Sequence, residues 1–210
     1  MVVAVMWSEL RADFKLYCAL RFPDGASVIR RALLLFRSPG LLVLAIQRTH
    51  HYFFDRRLRD GWTLETIGLK FLLAFARPLA LIIAKSDVAA STEIAGGVYL
   101  SDRGHLIIGP RRIGSGTLIH DRVTIGVSAG GEGPPMIGEN VWIGPDCVIY
   151  GDSRIGNGVA VLPGTVLSIS VPDNAVVSGN PGVIVRRDFD NTYLRRNLAC
   201  NIDRESFASR

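Results

Sequence analysis

The sequence predicts a β-helix built from six-residue repeats, preceded by a domain of α-helices. The composition and the spacing of apolar residues in the 210-residue chain change near Asp87. Before that residue, apolar side chains recur at intervals of three and four, which is the period of an amphipathic helix. After it, glycine and β-branched residues predominate, and aliphatic residues recur every six positions. Apolar residues make up 48% of the chain, enough for both parts to bury a core.

Residues 1–86 are predicted to form the α-helical N-terminal domain. Helical spacing is clearest in three segments, SELRADFKLYCALRF, ASVIRRALLLFR and GLLVLAIQRTHHYFFDRRL. A Pro-Gly pair and an Asp-Gly pair separate the helices, and Pro78 is expected to kink or end the last one.

No membrane span and no signal peptide are predicted. The best candidate span, residues 71–84, is interrupted by Arg77 and Pro78 and falls short of the roughly 18–20 apolar residues that a span needs. The apolar residues 1–6 have no basic segment in front of them. The three cysteines lie far apart, so they form no disulfide framework and fit a reducing compartment. We therefore expect a cytoplasmic protein.

The charge of the chain is unevenly distributed. Residues 1–85 hold 13 Lys or Arg against 6 Asp or Glu, whereas residues 86–182 hold 5 against 9. The basic, apolar-rich front half could rest on an anionic membrane surface or on an acidic partner, and the alternative is an ordinary solvated basic face. Peripheral membrane contact is thus left open, and no nucleic-acid partner is predicted.

The six-residue period predicts which side chains point inward. A second set of small or β-branched residues follows four positions after the aliphatic ones, where less space is available. The aliphatic positions are Ile113, Ile119, Ile125, Ile137, Ile143, Ile149, Ile155, Val161 and Leu167, and the second set is Thr117, Val123, Val141, Cys147, Ser153, Val159 and Thr165.

Three such hexads close one triangular turn of a coil, and successive turns stack about 4.8 Å apart through backbone hydrogen bonds. The predicted coil domain covers residues 87–187, and residues 188–210 are predicted to be a C-terminal tail. A β-sandwich would instead alternate with period two and turn every 8–12 residues, which this sequence does not do.

One step of the repeat is twelve residues long, from Ile125 to Ile137, and it contains the segment SAGGEGPP. This segment is expected to leave the coil as a loop, and loops on rigid scaffolds often carry function. It is no phosphate-binding loop, because Gly-Lys-Ser/Thr is missing and no helix follows.

Several segments resemble the serine O-acetyltransferase branch of the hexapeptide acyltransferases, which includes acetyltransferases of surface-polysaccharide synthesis. The segments are LAIQRTHHYFF, DVAASTEIAGGVYL, VTIG with the loop, IGENVWIG and VPDNAVVSGNPGVIV. The resemblance covers about residues 40–187. It implies a left-handed parallel β-helix, mainly β in class, that forms a homotrimer or a dimer of trimers with sites between subunits. It also implies O-acetyl transfer from acetyl-CoA to a hydroxyl of serine or of a sugar.

The family uses a histidine base, an aspartate that orients it, and a second histidine on the loop of a neighbouring subunit. By resemblance the orienting aspartate corresponds to Asp87, the catalytic histidine to Asp102 and the loop histidine to Pro134, while a second family aspartate corresponds to Ser101. Both family histidines are therefore replaced. A carboxylate with a pKa near ~4 is a poor base for an alcohol, so Asp102 is no direct substitute.

His120 is the preferred candidate for the base. It lies 18 residues after Asp102, so we expect the two residues to stack about 4.8 Å apart, one turn of the coil. Asp102 or Asp87 would then orient its imidazole, and His105 is the second candidate. The alternative is a surface histidine at a corner of the coil.

Acetyl-CoA is expected along the coil, where the resemblance makes Gly126, Gly144, Gly164 and Gly179 plausible lining residues. Arg186, with Arg187, could contact the CoA phosphates. The corners of the coil could by themselves explain the glycines, and a solvated tail could explain the arginines. No metal site is predicted, because His105 and His120 have no third histidine in the coil.

Two functions stay open. The first is acetyl transfer, with a sugar or polysaccharide acceptor favoured over serine because Ser101 replaces an acidic residue of the family. The second is a catalytically silent hexapeptide scaffold that binds or regulates a partner.

Overall fold

The computed structural model describes residues 2–22, 25, 27–61, 63–128, 130 and 133–196. Within them, four helices precede fifteen short strands. The helices are α1 (Val2–Arg21), α2 (Val28–Arg37), α3 (Pro39–Asp60) and α4 (Leu64–Ala84). The strands are β1 (Asp87–Val88), β2 (Glu93–Ile94), β3 (Tyr99–Leu100), β4 (Ile107–Ile108), β5 (Arg112–Ile113), β6 (Leu118–Ile119), β7 (Thr124–Gly126), β8 (Met136–Ile137), β9 (Trp142–Ile143), β10 (Val148–Tyr150), β11 (Arg154–Ile155), β12 (Ala160–Val161), β13 (Val166–Leu167), β14 (Val176–Ser178) and β15 (Val183–Arg186).

The strands form three parallel sheets that are the three faces of a triangular coil. Sheet A holds β1, β4, β7, β10 and β13, sheet B holds β2, β5, β8 and β11, and sheet C holds β3, β6, β9, β12 and β14. The chain visits the sheets in the order A, B, C and begins again. Strand β15 pairs antiparallel with β14 and closes the far end of sheet C.

The six-residue period is confirmed in full. Every predicted aliphatic position and every predicted small position is buried, and both sets belong to one continuous core or its polar lining. Cys147 packs inside the coil as expected. The predicted class, mainly β, understates the helices, because α1, α3 and α4 have 20, 22 and 21 residues whereas most strands have two.

The turns of the coil differ in length. After the loop a full turn takes 18 residues, as in the pairing of Trp142 with Ala160, and the last turn takes 16, from Ala160 to Val176. An earlier turn takes 19 residues, from Tyr99 to Leu118, and the turn that contains the loop takes 24, from Leu118 to Trp142. The uniform 18-residue turn assumed from the sequence is therefore wrong for the first part of the coil.

The helical domain caps the open end of the coil. Asp13 Oδ1 accepts hydrogen bonds from the backbone N–H groups of Gly97 and Val98, at 2.8 and 3.0 Å. The Arg48 guanidinium donates to the carbonyl oxygens of Ile94 and Ala95, at 2.8 and 2.9 Å. Because strands β2 and β3 have no preceding turn, these side chains replace the missing neighbour.

Residues 188–196 pack against the coil, although the sequence predicted a tail from 188 to 210. Asn191 donates to the carbonyl oxygens of Asn140 and Val159, and Arg195 donates to that of Gly116. This segment therefore runs along the corner where the chain passes from sheet B to sheet C. The rest of the predicted tail lies outside the described residues.

The buried aliphatic residues along the axis of the coil predict a clear contrast in stability between inward and outward substitutions. We expect Ile143→Ala to lower the free energy of unfolding by ~2–5 kcal/mol, because it leaves a cavity among fully buried neighbours. Ile107→Ala is the matched control, since that side chain also lies in a strand but is 62% exposed. Denaturant unfolding of both variants checks the contrast, and equal losses would contradict an axis filled by Ile143.

Candidate active site

One edge of the coil gathers most of the predicted site residues. We call it the C–A corner, and it comprises residues 101–106, 120–123, 144–147 and 162–165, where the chain passes from sheet C to sheet A, together with the β14–β15 turn at 178–182, which is bonded to Val166. Backbone hydrogen bonds stack these segments, among them Asp146 N to Asp121 O at 3.1 Å and Gly164 N to Pro145 O at 2.9 Å. The members of the predicted set at this corner are Asp102, His105, His120, Gly144, Gly164 and Gly179.

His120 lies at the end of β6, between Ser101 of the preceding turn and Gly144 of the following one. Its ring meets the edge of the Trp142 ring with centroids 5.0 Å apart. Its Nε2 atom is buried and has no hydrogen-bond partner within the described part of the chain. A buried polar atom without a partner is costly, so Nε2 is a site where a ligand would be stabilised.

The surroundings of His120 favour the neutral imidazole. Burial lowers the pKa of His120 from its usual 6.5, and the charge of Arg103 lowers it further, while the carboxylate of Asp121 raises it. The net direction is downward, so the ring is uncharged near neutral pH. A neutral ring nitrogen can accept a proton, which is what a general base must do.

Asp102 does not lie beside His120 as the sequence analysis expected. Because the turn here has 19 residues, Ser101 pairs with His120 and Asp102 falls opposite Asp121. Asp102 instead accepts hydrogen bonds from Arg21, at 2.8 Å, and from the N–H of Gly40, at 3.0 Å. It therefore anchors the N-terminus of α3 to the corner and is not placed to orient the imidazole.

Asp87 also lies away from His120. It occupies β1 on sheet A, is half-buried, and shares a small pocket with Gln47 and His50 of α3. Its backbone N–H donates to the carbonyl of Leu106 at 2.8 Å. Asp87 and His120 are therefore on different faces of the coil within one chain, which makes Asp87 a poor orienter for this ring.

Asp121 and Trp142 are the two residues beside His120 that the sequence analysis missed. Asp121 is buried and pairs with Arg122 at 2.8 Å, and Arg122 also pairs with Asp146 in the next turn. These carboxylates hold the turns of the corner together and place a negative charge next to the imidazole. Adjacency to His120 could have indicated Asp121, whereas Trp142 is 22 residues away and needs the loop length to be known.

His105 is exposed and has a backbone φ of 59°, in the left-handed region. It lies in the turn between β3 and β4 at the same corner as His120, but its side chain has no buried surroundings. Nothing around it marks it as a base.

Three of the four predicted lining glycines have a local reason to be glycine, and Gly126 has none. Gly164 and Gly179 have φ of 72° and 102°, so their own backbone favours glycine. A Cβ on Gly144 would approach the Trp142 ring at 3.0 Å and Pro163 at 2.9 Å. Gly126 is different, because it has no positive φ and a Cβ there would meet no described atom within 4 Å.

The structure does not bring Gly126 and Arg186 to the C–A corner. Gly126 ends β7, where sheet A passes to sheet B, and the 127–135 segment follows it. Arg186 ends β15 at the junction of sheets B and C, with its guanidinium carbon 5.3 Å from the centre of the Phe189 ring. Within the described residues no group of three or more His, Cys, Asp or Glu is placed to hold a metal ion.

Comparisons with known proteins agree with this architecture. A family described as bacterial transferase hexapeptide (six repeats) matches residues 134–168. The serine acetyltransferase of Synechocystis sp. is 30% identical over 183 residues, which is 86% of this chain and 68% of the relative. The putative lipopolysaccharide biosynthesis O-acetyl transferase WbbJ of Escherichia coli is 30% identical over 113 residues, covering 53% of this chain and 55% of the relative.

A solved structure supports the fold. The serine acetyltransferase of Brucella abortus, crystallised with coenzyme A, superposes with a TM-score of 0.70 at 22% identity, covering 86% of this chain and 68% of that one.

The lowered pKa of His120 predicts a pH-dependent stability. The unfolded chain takes up a proton on this ring near pH 6.5 and the folded chain only at lower pH, so stability falls as the pH drops below 6.5. We expect His120→Asn to flatten this fall, by at most about 1.4 kcal/mol for each pH unit. Denaturant unfolding between pH 5 and 8 measures it, with His105→Asn as the control, and an unchanged slope in His120→Asn would contradict the burial effect.

Proposed function

The chain belongs to the serine acetyltransferase family of hexapeptide-repeat transferases, and on that basis we propose that it is an acetyl-CoA-dependent O-acetyltransferase with His120 as its general base. The observation that carries the role of His120 is its Nε2 atom, which is buried and lacks a partner in the described chain. The lowered pKa of the ring supports the same role, because the base must be neutral before it accepts a proton.

The proposed reaction is a direct transfer. The acceptor hydroxyl donates its proton to His120 Nε2 while its oxygen attacks the carbonyl carbon of the acetyl thioester. The tetrahedral intermediate collapses with cleavage of the C–S bond, and the imidazolium returns the proton to the departing thiolate of coenzyme A. The charge of Asp121 beside the ring stabilises the imidazolium that forms in between.

We favour a sugar or polysaccharide precursor as the acceptor, with serine as the alternative. At the positions of the two family histidines this chain has Asp102 and Pro134, and Asp102 is held by Arg21 and Gly40. Ser101 stands where the family has a second acidic residue. These differences change the surroundings in which the family binds serine, and the similarity to WbbJ supports a glycan acceptor.

The proposal includes a homotrimer, alone or paired into a dimer of trimers, with left-handed coils and a site between subunits. The predicted residues of one chain lie at three different corners of the coil, so a single chain cannot join them. A threefold arrangement would bring the 127–135 segment and Gly126 of one subunit toward the C–A corner of its neighbour. Gly126 has open space around it in the described chain, which leaves room for acetyl-CoA.

The role of His120 predicts a large effect on rate. We expect His120→Asn to lower kcat by ~10²–10⁴-fold, the usual contribution of a general base, with little change in KM for acetyl-CoA. The measurement is release of coenzyme A in the presence of a panel of glycans and of serine.

His105→Asn is the matched control, because asparagine tolerates the left-handed backbone at that position and the residue is exposed. Full activity in His120→Asn would exclude this residue as the base. A wild-type chain that neither binds nor cleaves acetyl-CoA would instead support a silent scaffold.

The role of Gly126 predicts a binding defect without loss of stability. We expect Gly126→Ala to raise KM for acetyl-CoA about tenfold, equivalent to about 1.4 kcal/mol of binding free energy, with an unchanged unfolding midpoint. Gly68→Ala is the control, because that glycine also has open space but lies in α4. A change of oligomeric mass with an unchanged KM would assign Gly126 to a subunit contact instead.

A further inference from the structure

Helix α4 is apolar on two opposite sides. One side packs on α3 and includes the buried residues Thr66, Leu73 and Ala84. At 3.6 residues per turn these positions lie close to a single line along the helix. This side is therefore explained by the contact with α3.

The opposite side of α4 is exposed. Leu64 is 87% exposed, Phe71 64%, Phe75 76% and Ile82 73%, and the spacing of these residues places them on a line about 180° from the buried one. Ile67 and Leu72 extend the same exposed surface. We call these six side chains the α4 stripe. A continuous row of large apolar side chains on a surface indicates an interaction site, unlike single exposed ones.

The start of α4 is capped, and its end is bonded to the coil. At its start, Thr63 accepts from the N–H of Thr66 at 3.2 Å, and the Thr66 hydroxyl accepts from the N–H of Thr63 at 2.7 Å. At its end, the Ser86 hydroxyl donates to the carbonyl of Ala84 and accepts from the N–H of Leu106 in the coil. The bond from Leu106 ties the end of α4 to the coil.

Residues 66–84 also form the one helix within the described chain that is long and apolar enough to cross a membrane, by length and composition alone. The sequence analysis predicted no span because Pro78 interrupts the segment, yet α4 continues through Pro78 to Ala84. Since one side of the helix packs on α3, the α4 stripe lies on the side that faces outward. The geometry suits a helix that lies in a membrane surface rather than one that crosses it.

Either a lipid surface or a second copy of the chain could cover the α4 stripe. The charge of the helical domain favours the lipid surface. Residues 1–85 hold 13 basic against 6 acidic residues, and Lys70 within α4 and Lys85 directly after it are exposed. Contact between two copies through this surface would bring two strongly basic domains together. An anionic lipid surface complements the same charge.

We propose that the α4 stripe docks the protein on an anionic membrane surface, with the phenylalanine and leucine side chains in the acyl boundary and the basic residues among the lipid headgroups. The inference rests on α4 alone and does not depend on the proposed acetyl transfer. It adds a peripheral membrane position to the expected cytoplasmic protein.

Vesicle sedimentation with the full chain tests the docking. We expect the wild-type chain to bind phosphatidylcholine vesicles that contain phosphatidylglycerol, and to bind pure phosphatidylcholine vesicles at least tenfold more weakly. Phe71→Ser combined with Phe75→Ser should reduce binding to the anionic vesicles at least tenfold, and 1 M salt should also reduce wild-type binding. Both phenylalanines are exposed, so circular dichroism should show an unchanged fold.

The matched control is Ile107→Ser combined with Ile169→Ser, two exposed apolar residues of the coil domain, which should bind vesicles as the wild type does. Wild-type binding that is absent, or that survives the double phenylalanine substitution, would overturn the proposal. Sedimentation velocity without lipid tests the alternative, in which a second copy of the chain covers the α4 stripe. A smaller assembly in the double phenylalanine variant, together with no wild-type binding to vesicles, would assign the α4 stripe to a contact between copies.

Discussion

The buried ion pair between Asp13 and Arg48 is the contact on which the rest of the structure depends. A β-helix has two open ends, and the strands of the first turn have no neighbour to bond their backbone groups. Arg48 bonds Asp13 at 2.7 Å while both side chains also bond the backbone of that first turn. Removing one partner would leave a buried charge and unpaired backbone, a loss of about 3–5 kcal/mol. The coil and the helical domain therefore stabilise each other.

This cap also determines the chemistry of the C–A corner. Arg48 fixes the middle of α3, and Asp102 fixes its beginning through the N–H of Gly40. Asp102, which by resemblance stands at the position of the family's base, uses its carboxylate for anchoring. The candidate base His120 lies in the next turn, stacked on Ser101 and packed on Trp142. A carboxylate held by Arg21 and by the N–H of Gly40 is not free to act as a base, so Asp102 serves the docking of α3.

The sequence predicted the inward residues of the coil because every sixth position must fill the axis. It did not predict the lateral neighbours. Residues can be added in a corner, as between Leu100 and Ile107, without moving any side chain off the axis, so turn length does not show in the local period. The expected stacking of His120 on Asp102 was wrong by one residue for this reason. The sequence also did not show which side of α4 is buried, because an all-apolar helix has no polar side to mark the exposed face.

The positions of the remaining candidates argue for an assembly rather than a complete site in one chain. His120, Gly126 and Arg186 end strands at three different corners of a triangular coil, and no bending of a stacked coil can join its corners. Rotation about a threefold axis outside the coil places unlike corners of neighbouring copies face to face. In the proposed trimer, the unpartnered Nε2 of His120 and the open space at Gly126 would lie on facing sides of one groove. A ligand in that groove would give the buried Nε2 atom a partner and would fill the open space at Gly126.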